Sequence, residues 1–413
     1  MRKSLSLLVF LVVAAFAFTA SAQERVKTGD EVFVEKYLSL IKGKTIGIIT
    51  NHSGEMQDGR HIADVLSKIS DVKLVALFGP EHGIRGNAPD GKTIANSVDE
   101  KTGVQVYSLY GKIKKPTTEM LKGIDVLIYD IQDVGARFYT FISTLDLSLE
   151  AAAENHVKFI VLDKPDMLRA DLVDGPVLVD SLRSFVGIQP IASVYGMTPG
   201  EFATMINDAY MLKDGVKADL TVIKMENYRR SMWYDQTGLK WVIPSPNLPD
   251  MNSVEVYPGN VLIEATNVSE GRGTEHPFEN IGAPFIDSKK LVSLLDKQHI
   301  AGVKFEPIEF TPHPFPWASE PKYNGEVCHG VKITVANRNI FRPVEMGVTL
   351  VWAIHKLYPG KFEFRNVAFD MRAGTSQIRL MLEEGKTPQQ IISAWQIGLK
   401  KFEGLRKRFL LYK

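Results

Sequence analysis

The stretch LFGPEHGIRG, Leu77 to Gly86, gathers groups that can move protons. An apolar run, Val72 to Phe78, stops at a Gly-Pro pair. A carboxylate (Glu81), an imidazole (His82), two glycines and an arginine (Arg85) follow at once. Ligands of open α/β sheets sit beyond the carboxyl ends of the strands. A strand that ends on an acid and a base therefore predicts an active-site loop, with Glu81 as general acid/base. The same residues also fit a tight turn whose glycines take positive φ and whose charges face water.

Other strand ends carry related groups. The run DVLIY, Asp125 to Tyr129, ends in Asp130 and Asp133, with Arg137 and Tyr139 close behind. Glycoside hydrolysis needs one carboxyl to protonate the leaving oxygen. A second group must activate water, attack, or orient the sugar. Asp130 and Asp133 are candidates for that second role; capping and solvation of a helix start are the alternative. The forked donors of Arg137 and Arg272 suit a substrate carboxylate. KTIGIIT, Lys44 to Thr50, ends in Asn51 and His52, and Lys158 to Leu162 ends in Asp163 and Asp166. In a parallel sheet all these ends share one edge, which makes Asn51, His82 and Tyr139 candidate substrate-binding residues.

Rival chemistries lack their signatures. Gly79, Gly83 and Gly86 do not have the dinucleotide spacing, and no phosphate-binding loop occurs. The nine histidines show neither H-E-x-x-H nor H-x-H, so no metal site and no cofactor are expected. G-x-S-x-G is absent, which leaves Ser53 and Ser269 as turn serines. A net charge of +1 gives no reason to expect nucleic acid or an anionic membrane as partner. The single cysteine, Cys328, rules out an intrachain disulfide and reads as a small buried apolar residue.

The elements that must hold these groups follow from periodicity. Glu31–Ile41, Asp58–Ile69, Thr117–Leu121 and Thr140–Asn155 read as helices between the strands already named and Val104–Leu109. That alternation predicts an α/β fold with a Rossmann-like, mostly parallel sheet. Thr198 and Glu201 flank Pro199 in a capping-box pattern, which makes Glu201 structural. A strand at Leu220–Ile223 precedes the proline-rich connector Pro244–Pro249, which contains Asn247. A boundary there gives a catalytic domain over residues 23–245 and a second domain over 246–413. In the second domain Asn260–Ala265, Val303–Thr311 and Gly330–Val335 read as strands, and Val344–Leu357 and Thr387–Phe402 as helices. It is the smaller, α+β domain, and Lys401–Arg408 is a solvated helix face. Met1-Arg2-Lys3, the apolar run Leu5–Phe18 and Ala20-x-Ala22 predict a signal peptide over residues 1–22, cut after Ala22, and a periplasmic or secreted protein. An uncleaved N-terminal anchor is the alternative, and no later stretch is apolar enough to span a bilayer.

The motifs LFGPEHGIRG, SLYG, YDIQDVGARFYT, VLDKPD, VDGPVL, FVGIQPI, YGMTPGE, PSPNLP, LIEATNVSEGRGTEHPFENIGAPFID, FRPVEMG and FDMRAGT occur in this order from Lys44 onward. Together they resemble the NamZ-like exo-β-N-acetylmuramidase family. The resemblance implies a Rossmann-like domain, a smaller C-terminal domain and an active cleft between them. It also implies release of N-acetylmuramic acid from non-reducing ends of peptidoglycan fragments, without a cofactor. On that resemblance Glu81 is the general acid/base, and Asp130, Asp133, Arg137 and Tyr139 form an acidic-arginine segment. Asn247, Glu264, Asn267, Glu270 and Arg272 are further substrate-binding candidates. The chain departs from the family pattern at Lys164, Asp166, Met167, Tyr195 and Ala265. The second catalytic element is either a carboxylate or the substrate's own acetamido group. Two other readings stand beside this one: a non-catalytic cell-wall sugar-binding protein, and a hydrolase of another acidic amino sugar.

Overall fold

A computed structural model describes residues 24–86, 96–315, 318 and 320–413; the expected signal peptide lies outside them. Short β-branched runs form the strands β1 (Thr45–Thr50), β2 (Lys73–Gly79), β3 (Ser97–Val98), β4 (Gln105–Ser108), β5 (Val126–Asp130), β6 (Lys158–Leu162), β7 (Asp174–Val177), β8 (Ala192–Val194), β9 (Leu220–Ile223), β10 (Asn280–Ala283), β11 (Val303–Phe310) and β12 (Cys328–Val335). The helices are α1 (Gly29–Lys36), α2 (Ile62–Leu66), α3 (Thr118–Leu121), α4 (Phe141–Glu154), α5 (Pro199–Asp208), α6 (Met251–Glu264), α7 (Ser288–Asp296), α8 (Pro343–Leu357), α9 (Asn366–Ala373), α10 (Gln377–Glu383) and α11 (Pro388–Arg406). None of them is long and apolar enough to cross a membrane.

The main sheet has the order β3-β4-β2-β1-β5-β6-β9, parallel except for β3 at its edge. Its central strands are apolar on both faces because both are covered. One face packs on α1 and α2 through residues such as Phe33, Ile48 and Leu66. The other carries α4 and α5, and its core continues without a break through Tyr257 and Phe278 to α8. The second sheet, β10-β12-β11, is small and antiparallel, and β7 pairs with β8 as a separate ribbon. The expected α/β class with a smaller α+β part is what the chain forms.

At α5 the capping box is present: Thr198 accepts a hydrogen bond from Glu201 N at 3.2 Å. Cys328 is fully buried. The segment Asn260–Ala265 is not a strand but the end of α6. The deciding signal lies upstream, where Asp250 caps the helix by accepting from Ser253 N at 2.9 Å. Pro258 sits inside this helix, and the apolar run after it imitates a buried strand.

α6 carries Glu264 at its C-terminal end, and its place is fixed by a close crossing with α8. A Cβ on Gly259 would lie 2.0 Å from Pro343 O, and one on Gly347 would lie 2.3 Å from Gly259 O. Both obstacles are backbone, so neither can swing aside. Gly259→Ala is therefore expected to cost at least about 1–3 kcal/mol through overpacking, read as a lowered melting temperature. An unchanged melting temperature would show that the crossing is looser than this.

Candidate active site

β2 ends at Gly79, and the chain turns sharply behind it. Gly83 N donates to Pro80 O at 3.0 Å. A Cβ on Gly79 would lie 3.2 Å from Ile84 N, a tight fit against the backbone of the turn. His82 takes a left-handed conformation, φ 72°, which costs a non-glycine residue strain. That turn delivers Glu81 and His82 to a cleft of about 560 Å³ between the sheet edge and the C-terminal half. Thr140, at the start of α4, donates through Oγ1 to Glu81 Oε2 at 3.2 Å. Arg85 turns away and anchors the loop, pairing with Asp64 at 2.6 Å and Asp99 at 2.8 Å.

The cleft floor is aromatic. Phe138 and Tyr139 both pack edge-on against Tyr257, at 5.4 and 6.2 Å, and Tyr257 packs against Phe278 at 4.9 Å. Tyr139 Oη donates to Pro244 O at 2.6 Å, which ties the connector to the sheet edge and brings the buried Asn247 to the cleft wall.

The opposite wall is charged. Glu264 accepts from Arg272 Nη2 at 2.8 Å and from Arg372 Nε at 3.0 Å. Burial alone would raise this carboxyl, but the two guanidiniums outweigh it and hold the group below the ordinary glutamate value. Glu270 pairs with Lys322 at 2.9 Å and with Arg272 at 3.6 Å. Arg272 also lies over the Phe278 ring at 5.2 Å, a cation–π contact. Three cations thus share two carboxylates, in the same cleft as Glu81. Arg365 and Glu320 line the cleft beside them with one charge of each sign.

The structure brings together Glu81, His82, Tyr139, Asn247, Glu264, Glu270 and Arg272. It does not bring the other candidates to the cleft. Asp130 is fully buried below the edge and pairs with Lys164 at 3.0 Å, and Lys164 also holds Asp30 at 2.8 Å. Asp133 is buried too; it accepts from Tyr195 Oη and from Gly135 N at 2.7 Å. Desolvation pushes the Asp133 carboxyl up to about 7. Asn51 is fully buried, and Ser53 N and Oγ donate to its Oδ1 at 2.9 and 2.6 Å. Asn267 zips its loop to the chain at Lys361 and Glu363, at 2.7 and 2.9 Å.

Arg137 is corrected as well. It is completely buried, and its guanidinium donates to Pro176 O at 2.9 Å, Ile191 O at 3.0 Å and Arg372 O at 2.9 Å. It cannot meet a substrate carboxylate; it holds the backbone of the arginine that lines the cleft. A Cβ on Gly374 would strike Arg137 Nη2 at 2.4 Å, so glycine is required beside it. Lys164 and Tyr195, both departures from the family pattern, also lie in this buried layer rather than in the cleft.

Sequence reasoning missed Arg372, Arg365, Lys322, Thr140 and Tyr257. Arg372 sits within FDMRAGT, and Tyr257 precedes a Pro-Gly pair within a capped helix, so both had a signal. Lys322 and Arg365 had none, because an isolated basic residue reads as solvated surface. Among the described residues, no three His, Cys, Asp or Glu side chains form a metal-ligating group.

Family models for the N-terminal and C-terminal parts of the exo-beta-N-acetylmuramidase NamZ match residues 46–252 and 255–412. The peptidoglycan beta-N-acetylmuramidase NamZ of Bacillus subtilis strain 168 is 46% identical over 389 residues, spanning 94% of this chain and 92% of its own. Crystal structures of two DUF1343 family proteins from Bacteroides fragilis NCTC 9343 share the fold, with TM-scores of 0.87 and 0.78 at 36% and 35% identity. Each match covers 94% of this chain and 99% of the other. With both halves matched in order and a cleft that holds the motif residues, the chain belongs to the exo-β-N-acetylmuramidase NamZ family.

Proposed function

We propose that this protein is an exo-acting β-N-acetylmuramidase that releases N-acetylmuramic acid from the non-reducing ends of peptidoglycan fragments. The observation that carries the reading is the charge arrangement of the cleft: Glu81 shares it with Arg272, Arg372 and Lys322, which gather around Glu264 and Glu270. A muramic acid ring carries one carboxylate on its lactyl ether, and a neutral N-acetylhexosamine carries none. The forked donors of the cleft guanidiniums suit that carboxylate, and charge-assisted hydrogen bonds to a carboxylate contribute about 1.5–3 kcal/mol each.

In this reading Glu81 donates its proton to the glycosidic oxygen, with Thr140 holding the carboxyl in place. Positive charge then develops at C1 and the ring oxygen as the leaving oxygen departs with that proton, and water or the substrate's own acetamido oxygen bonds to C1; in the second case water then opens the resulting ring and releases the sugar. Glu264, kept ionised by two guanidiniums, supplies the facing negative charge. The aromatic floor of Phe138, Tyr139, Tyr257 and Phe278 excludes water from beneath the ring and offers flat apolar faces to its C–H groups. Asp130 and Asp133 act through the scaffold rather than on the sugar, since both are buried below the cleft.

Two measurements test these roles. Glu81→Gln is expected to lose about 10²–10⁴-fold in kcat/KM on a muramoyl disaccharide. It should keep most of its kcat/KM on a dinitrophenyl muramoyl glycoside, whose leaving group needs no proton. Equal losses on both substrates would remove Glu81 from the acid role, and binding without turnover by the wild type would favour a sugar-binding protein. Asp133→Asn is expected to keep turnover within a few-fold. The folded state binds the Asp133 proton more tightly than the unfolded chain does, so this group stabilises the fold at low pH. That contribution is lost as pH rises from about 4 to about 7. The decline in melting temperature across that window should therefore be shallower in the variant. A large loss of turnover with the wild-type pH dependence of stability would instead put Asp133 in the reaction.

A further inference from the structure

Lys322 is bonded as a structural cation would be. Its Nζ donates to Ile263 O at 3.0 Å, Glu264 O at 3.1 Å and Val268 O at 2.8 Å, and it pairs with Glu270 Oε2 at 2.9 Å. Four oxygens thus surround an ammonium that has three protons. Two of the carbonyls close the C-terminus of α6, where the last turn of a helix leaves C=O groups without intrahelical donors and carries its negative end. The third belongs to the loop that follows, and the carboxylate lies two residues further on. One point charge therefore gathers the end of α6 and the first turn of the NVSEGRGT segment.

The neighbours of Lys322 fix it there. A Cβ on Gly273 would lie 2.7 Å from Pro321 Cβ, so the preceding proline rests directly on the loop. Tyr323 Oη donates to Asn267 O at 2.6 Å. Residues 321–323 are thus strapped across residues 263–273, with the ammonium between them.

We infer that Lys322 is a positioning residue for the two carboxylates of the cleft: its ammonium takes the place of a bound cation, fixing Glu264 through its own carbonyl and Glu270 through its side chain. The inference rests on the glycosidase reading of the cleft. Removing the side chain beyond Cβ leaves an oxygen-lined cavity that a small primary ammonium ion can refill.

Lys322→Ala tests this by chemical rescue. On an aryl muramoyl glycoside the variant is expected to lose about a hundredfold or more in kcat, with a smaller change in KM. Methylammonium should restore kcat at least about tenfold in a saturable way, and tetramethylammonium at the same ionic strength should not, since it has no N–H. Methylammonium should also raise the melting temperature of Lys322→Ala but not of the wild type. That second readout needs no turnover: a wild type inactive on muramoyl glycosides would count against the glycosidase reading alone. Lys322→Met keeps the bulk of the stem and removes the charge; it should fold and share the loss in kcat. Wild-type kcat in Lys322→Met, or equal effects of the two ammonium ions on Lys322→Ala, would overturn the inference. A Lys322→Ala chain that folds only in methylammonium would support it.

Discussion

Sharing of three cations between two largely buried carboxylates is the interaction on which the rest of this structure depends. Glu264 and Glu270 lie where charge is costly, and each is tolerable only because guanidinium or ammonium groups surround it. The partners come from distant parts of the chain: Arg272 from the loop after α6, Lys322 from the segment before β12, and Arg372 from α9. Each must be held by its own backbone. The glycine crossing of α6 and α8 sets the height of Glu264, and Arg137 pins the carbonyl of Arg372 from below. Several residues remote from the sugar thus act on it through the cluster.

The sheet edge makes the other half of the cleft, and burial decides which of its groups reach it. β1, β2, β5 and β6 are parallel neighbours, so their polar ends do converge on one edge. The C-terminal half covers most of that edge and turns it into an internal polar layer. In it Lys164 joins Asp30 to Asp130, and Asp163 accepts from Thr198 Oγ1 at 2.8 Å and from Tyr412 Oη at 2.6 Å. Leu411 N donates to Glu201 at 2.8 Å, and Arg230 pairs with the same carboxylate. The end of the chain is thereby sewn to the first half of the molecule, and the two walls of the cleft hold their spacing. Of the carboxylates named at the β2, β5 and β6 ends, Asp130, Asp133, Asp163 and Asp166 are buried and Glu81 keeps access to the cleft.

Much of this architecture can be read from residue order. The strands announce themselves by β-branched runs between turn residues, and the Thr198–Glu201 cap by its spacing. The Asn260–Ala265 misreading has a clear cause: a proline and a glycine inside α6 broke the helical pattern, and the apolar stretch after them looked like a strand. Within the site, Glu81, His82 and the NVSEGRGT charges were legible because their neighbours were unusual. Asp130, Asp133, Asn51 and Arg137 were misplaced for one reason. A one-dimensional pattern shows that a polar group ends a strand, but not whether another part of the chain closes over it. Lys322 was invisible because its meaning lies in three backbone carbonyls that no sequence pattern marks.

In the proposed function the guanidinium donors of the cleft select a sugar that carries a carboxylate. The most direct measurement compares kcat/KM of the wild-type enzyme on muramoyl and N-acetylglucosaminyl glycosides bearing the same aryl leaving group. The two differ only by the lactyl ether and its carboxylate. One or two charge-assisted hydrogen bonds to that carboxylate predict a preference of at least about tenfold for the muramoyl compound, shrinking as salt is added. Equal rates on the two glycosides, or a preference indifferent to salt, would contradict it.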